Sequence, residues 1–175
     1  MGVPTPTTTK HNEREYTMGL DQYLYAKKYT CSNDFKIESW KKMNDEFIEL
    51  KKVIGDDAKY LDNNLPSISV EMKIGQWRKV NAIHQWFVDN CQKGEDDCRY
   101  AFVSREQITE LLDLVKEVLA DHSKADELLP TQSGFFFGST EYDEYYFSDL
   151  EHTKKILKKA LSMPKSWDFE YSSSW

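Results

Sequence analysis

The stretch "SISVEMKI" at residues 67–74 constrains the fold most, because Ile68, Val70, Met72 and Ile74 alternate with Ser67, Ser69, Glu71 and Lys73. A period of two sends these sets to opposite faces of a strand, so one face is buried and the other polar. Gly75 follows and reads as the end of that strand. Beyond it, Trp77, Val80, Ile83, Phe87 and Cys91 recur at steps of three and four, which predicts a helix beginning near Gln76.

The remaining elements alternate in the same way. Tyr23 and Tyr25 interleaved with Leu24 and Ala26 predict a strand, and residues 32–54 carry capping candidates Ser32, Asn33 and Asp34 before a helical stripe from Phe35 through Phe47 to Ile54. A short strand is expected over Cys98–Val103. Ser104 with Gln107 then forms a capping box ahead of Ile108, Leu111, Leu112, Val115, Val118 and Leu119, the stripe of a second long helix. A helical turn is expected at 125–129, stopped by Pro130, then a helix at 147–161 and a terminal strand carrying Trp167, Phe169 and Tyr171. With 175 residues and no internal repeat, the expectation is a single α+β domain over 18–175, a small mixed or antiparallel sheet packed with about four helices. Residues 1–17 mix Pro, Thr and charge without periodicity and read as a flexible leader.

A net charge of −7 argues against general nucleic-acid binding, which calls for a basic face. No apolar run reaches about 18 residues and the N-terminus lacks a charged-then-apolar plan, so a soluble intracellular protein without membrane contact is expected. His84, Cys91 and Cys98 stand seven apart, but no CxxC or HxxxH accompanies them, so no metal site is expected. No cofactor fingerprint is present either, and no cofactor is expected.

Two constellations could carry chemistry. On the helix expected from Gln76, Arg78, Asn81 and Gln85 share a polar edge with His84 at its border, and Arg78 and Lys79 fall in the first turn, where an anion is favoured. Trp77 is available for stacking. The second constellation is "TQSGFFFGSTEYDEYYFSD", residues 131–149. Gln132, Ser133, Ser139 and Thr140 offer donors and acceptors, Phe135, Phe137 and Tyr142 offer rings, and Glu141 can accept from sugar hydroxyls or exocyclic amines. If Phe136 faces the core of a strand, Phe135 and Phe137 face the other way and need a helix, a partner subunit in a homo-oligomer or a planar ligand to cover them. Together the segments predict one site for a nucleotide-like molecule. His84 with Glu141 or Asp143 is the acid–base pair the chain could bring within reach.

The segments "MGLDQYLYAKKY", "IGQWRKVNAIHQWFVDN", "VSREQITELLDLVKEVL" and "LLPTQSGFFFGSTEYDEYYFSDLEHTKKIL" resemble a family of small, poorly characterised accessory proteins of tailed bacteriophages and prophages, over residues 18–161. The resemblance implies a protein made in the cytoplasm of an infected bacterium and brings no catalytic residue with it. It frames three readings: a binder that sequesters a nucleotide-like defence signal, a small enzyme acting on such a molecule, or an inhibitor that binds a host defence protein.

Overall fold

The computed structural model describes residues 19–32, 38–62 and 64–175. The leader at 1–17, Met18 and the capping candidates Asn33 and Asp34 lie outside the described residues. In chain order come β1 (Asp21–Cys31), α1 (Glu38–Ile54), a 3-10 turn (Gly55–Tyr60), β2 (Ser67–Arg78), α2 (Asn81–Cys91), β3 (Ala101–Val103), α3 (Arg105–Ala120), a second 3-10 turn (His122–Lys124), α4 (Ala125–Leu128), α5 (Glu144–Ser162) and β4 (Asp168–Ser174). The strands form one antiparallel sheet in the order β2-β1-β4-β3, so the chain is a single-domain α+β structure with five described α-helices, one of them the single turn α4.

Alternation decides the faces of this sheet. Leu24 and Ala26 of β1, Phe169 and Tyr171 of β4 and Val103 of β3 are buried together with Ile108, Leu111 and Val115 of α3 and with Leu150 and Leu157 of α5. Their neighbours Tyr23, Tyr25 and Lys27 turn to the other face, where Lys27 pairs with Glu71 and Glu170 across the strands on either side. The Ser104–Gln107 capping box closes both ways, Gln107 N donating to Ser104 Oγ at 3.1 Å and Ser104 N to Gln107 Oε1 at 2.8 Å.

The structure corrects the reading of β2 and of the helix after it. Gly75 does not end the strand. It pairs with Leu24 while Lys73 pairs with Tyr25, so Ile74 is the extra residue of a bulge and pairing continues to Arg78 opposite Asp21. A Cβ at Gly75 would lie 2.5 Å from Ile156 Cγ2, so the glycine is there to let α5 approach the strand. The chain turns at Lys79, in a left-handed conformation with φ 59, and α2 begins only at Asn81. Arg78 and Lys79 therefore belong to a strand end, and no helix dipole places them. Cys98, with φ 60, likewise cannot sit in a strand, which shortens the expected β3 to three residues. Among the described residues no helix is long and apolar enough to cross a membrane.

Candidate binding cleft

The end of β2 delivers Arg78 and Lys79 to the mouth of a cleft of about 200 Å³, whose opposite wall is the 131–143 loop and the first turns of α5. That wall is fixed through the backbone. Asn81, only 3% exposed, donates from Nδ2 to the carbonyls of Phe137 (3.1 Å) and Ser139 (2.8 Å) and accepts at Oδ1 from Gln132 N (2.9 Å). Leu20 adds a second tie, donating to Phe136 O while accepting from Lys79 N. Gly138 has φ 90, and a Cβ there would lie 3.0 Å from Lys79 Cβ and 3.1 Å from Lys79 O. Only glycine combines that conformation with so close an approach to the strand end.

Asp143 opens α5, accepting from the backbone N–H groups of Tyr145 and Tyr146 at 3.0 Å each. This cap places Tyr145 and Asp149 on the cleft side and Tyr146 in the wall, where its hydroxyl donates to Leu129 O at 2.8 Å. The floor and rim thus carry two cations, the acids Glu141, Asp143 and Asp149, and two phenols. Arg78 also pairs with Asp21 across the strands at 3.3 Å. Asp149 is the most informative of the acids. Burial pushes its carboxyl above the ordinary range, His152 pulls the other way, and Asp143 adds to the rise.

Of the residues singled out in the sequence, Arg78, Asn81, Ser139 and Glu141 line this cleft. The others lie elsewhere. Trp77 is core, 2% exposed, with its indole N–H donating to Thr153 Oγ1 at 2.9 Å. Gln132 borders a shallow depression beside Trp86 and Asp89, and Ser133 is exposed. Thr140 is exposed and its carbonyl accepts from Thr131 Oγ1. Tyr142 donates to Asp126 Oδ1 at 2.9 Å and packs edge-on against Tyr146. The three phenylalanines sit in a turn closed by Phe137 N donating to Gly134 O, so strand alternation does not apply to them. Phe137 turns inward, Phe136 is half-buried and Phe135 stands 95% exposed.

His84 is fully buried, and its partner is neither Glu141 nor Asp143. Its Nε2–H faces Asp96 Oδ2 at 3.0 Å, its Nδ1 meets the Tyr171 hydroxyl at 2.8 Å, and the Phe137 ring covers it edge-on at 5.2 Å. Tyr171 continues the chain of contacts to Gln22 Oε1 at 3.3 Å, and Trp175 Nε1 donates to Asp96 Oδ1 at 3.2 Å. Burial holds the Tyr171 phenol well above its ordinary value, reinforced by Asp96 and by the Cys98 and Cys91 thiols. The network ties the cleft loop to β4 through Phe137 and reaches solvent at Asp96 and Trp175. Among the described residues no three His, Cys, Asp or Glu side chains are grouped to hold a metal ion.

Sequence reasoning placed Lys79 in the first turn of a helix and Asp143 beside His84, and it left Tyr145 and Asp149 out of the site. The signal for these two was the Asp143 cap: once α5 starts there, Tyr145 lies in its first turn and Asp149 in its second. No protein-family model, no curated protein and no solved structure matches this chain.

Proposed function

We propose that the protein binds a nucleotide-like anionic small molecule in this cleft, with Arg78 and Lys79 on its phosphate, Glu141 and Asp149 on sugar hydroxyls, and Tyr145 beneath its base. The observation that carries this reading is Asp149. A half-buried carboxylate held above its ordinary range costs stability, and its side chain accepts no hydrogen bond among the described residues. Core packing does not call for an acid there, whereas a ligand offering hydroxyl donors does. A volume of about 200 Å³ suits a phosphate and a sugar, and the base then lies over Tyr145, whose ring is 73% exposed at the rim. In the phage setting that the sequence resemblance implies, such a binder would sequester a host defence signal.

Calorimetry with mononucleotides, dinucleotides and cyclic dinucleotides tests the reading. Lys79→Ala should weaken binding by about 1.5 to 3 kcal/mol, the scale of a hydrogen bond to a charged group. Asp149→Asn should weaken binding while stabilising the free protein. Affinity unchanged in both variants, or no binding across the panel, refutes the assignment. Chromatography of the released ligand distinguishes a binder, which returns it intact, from an enzyme, which returns product.

One observation favours a second reading, an inhibitor that binds a host protein. Phe135, almost wholly exposed at the tip of a loop anchored by Asn81, is the kind of rigid aromatic projection that anchors interfaces. Phe135→Ser should then abolish capture of the host protein without changing the fold. Capture that survives the substitution removes this reading.

A further inference from the structure

Helix α1 is the one long described helix that the core scarcely uses. Of its described residues only Phe47 is buried, while Ile48, Ile54 and, at 84% exposure, Val53 reach solvent. Beside it lies a groove of about 660 Å³, lined by Ile48 and Leu50 of α1, Val70 and Met72 of β2, and Trp167. Tyr60 and Leu65 extend the exposed apolar surface past the end of the helix. A soluble chain seldom leaves so long an apolar strip uncovered unless something packs on it. Because the strip continues well beyond the groove, its occupant is larger than a small molecule.

We propose that this face is a self-complementary dimer interface, in which α1 of a second copy packs antiparallel against α1 and over the groove. Charge placement selects a second copy over a foreign partner. Asp45, Ile48, Glu49 and Lys52 recur at steps of three and four, so they form one stripe with an acid at one end and a lysine at the other. Antiparallel pairing across a two-fold axis near Ile48 and Glu49 sets Asp45 against the partner's Lys52 twice, with Ile48 between the pairs and Val53 at the rim just beyond them. Glu46 is already held by Lys28 at 2.8 Å, and Lys52 pairs with Glu49 only in an exposed setting, which leaves it available at little cost.

The area is sufficient. A helix of 17 residues is about 25 Å long and about 10 Å wide, so helix and groove together offer on the order of 500 Å² in projection. Side-chain relief raises the accessible area toward the roughly 800 Å² per partner of a standard interface. The cleft between Arg78 and α5 is lined by none of these residues, so the dimer leaves it open.

Sedimentation velocity of the full chain over a range of concentrations tests the proposal. The expected result is a reversible shift from the 20.6 kDa monomer to twice that mass. Val53→Asp should raise the dissociation constant at least tenfold with an unchanged circular dichroism spectrum, and Lys52→Asp should do the same. Adding Asp45→Lys to Lys52→Asp reverses both charges and should restore the dimer. A chain that stays monomeric at every concentration overturns the proposal, as does a dimer indifferent to Val53→Asp or one the double reversal fails to rescue. Binding of a basic amphipathic peptide to a strictly monomeric chain would assign the face to a foreign partner instead.

Discussion

Replacing Asn81 by alanine should release the cleft loop while leaving the core intact. The side chain makes three hydrogen bonds, at 3.1, 2.8 and 2.9 Å, and all three reach backbone groups of the loop. At about 1 kcal/mol for each bond, with an added penalty wherever a carbonyl is left buried without a donor, the loss comes to roughly 2 to 4 kcal/mol. For a chain of this length that corresponds to a fall of about 4 to 16 °C in Tm. Urea titration followed by circular dichroism measures the free energy directly. A companion variant, Asn81→Asp, sharpens the test, because it keeps an acceptor for Gln132 N but points a carboxylate oxygen at the Phe137 and Ser139 carbonyls. That contact raises the new carboxyl's pKa in the folded state above its unfolded value. The folded state then holds the proton more tightly, so Asn81→Asp should recover relative to the native protein as the pH falls below about 5, and Asn81→Ala should not. A loss under about 0.5 kcal/mol for Asn81→Ala would show that the loop holds its shape without this residue, and the reasoning would fail.

Gly138→Ala should cost more than Gly55→Ala, although both glycines have positive φ (90 and 64), because the added methyl meets Lys79 in the first case and nothing within 4 Å in the second. Each pays the left-handed penalty of about 1 to 2 kcal/mol, so the excess at Gly138, read from paired urea titrations, isolates the contact with Lys79, and equal losses would deny it. Stability should hold level to about pH 9 and then fall toward pH 12, because burial pushes the Cys91 thiol from 9.0 up to about 12. Burial likewise pushes the Tyr25 phenol up to about 12, helped by its hydrogen bond with Tyr100, and it also raises Tyr146 and Tyr171. The unfolded chain loses these protons first, near the ordinary values of 9.0 for the thiol and 10.0 for the phenols, so ionisation draws the protein toward the unfolded state across that window. A flat profile to pH 12 would contradict the burial of these phenols.

Local pattern went far toward the fold where one rule acted alone. The Ser104–Gln107 box describes what the chain does, whereas the alternation from Ile68 to Ile74 gives the strand but overstates its burial: Ile74 is buried, Ile68 and Val70 only half so, and Met72 is exposed beside the groove. Gly75 misled because its role is decided by Ile156, some eighty residues away and visible only once α5 is docked. From that one displacement followed the placing of Arg78 and Lys79 on a helix, when a strand end carries them. The three phenylalanines resisted reading because a turn sends consecutive rings in unrelated directions, and no periodicity records which one is left outside. Asn81 and His84 looked like a polar edge, since sequence carries no sign of the carbonyls and of the Asp96 carboxylate that bury them.

The order β2-β1-β4-β3 also fixes a timetable for folding. As the chain is made, β1 and β2 can join as soon as both exist, but β3 finds no strand beside it among the described residues until β4 arrives, about 65 residues later. Phe169 and Tyr171 of β4 face Val103 and Ala101, and Tyr171 also supplies the ring on which Phe87 stacks at 4.0 Å. Until they emerge, α2 and α3 have only the β1–β2 part of the sheet to pack on, with Trp77 of β2 beside Phe87. A nascent chain paused before Asp168 should therefore be a ready client for chaperones, whereas the completed one closes in a single late step.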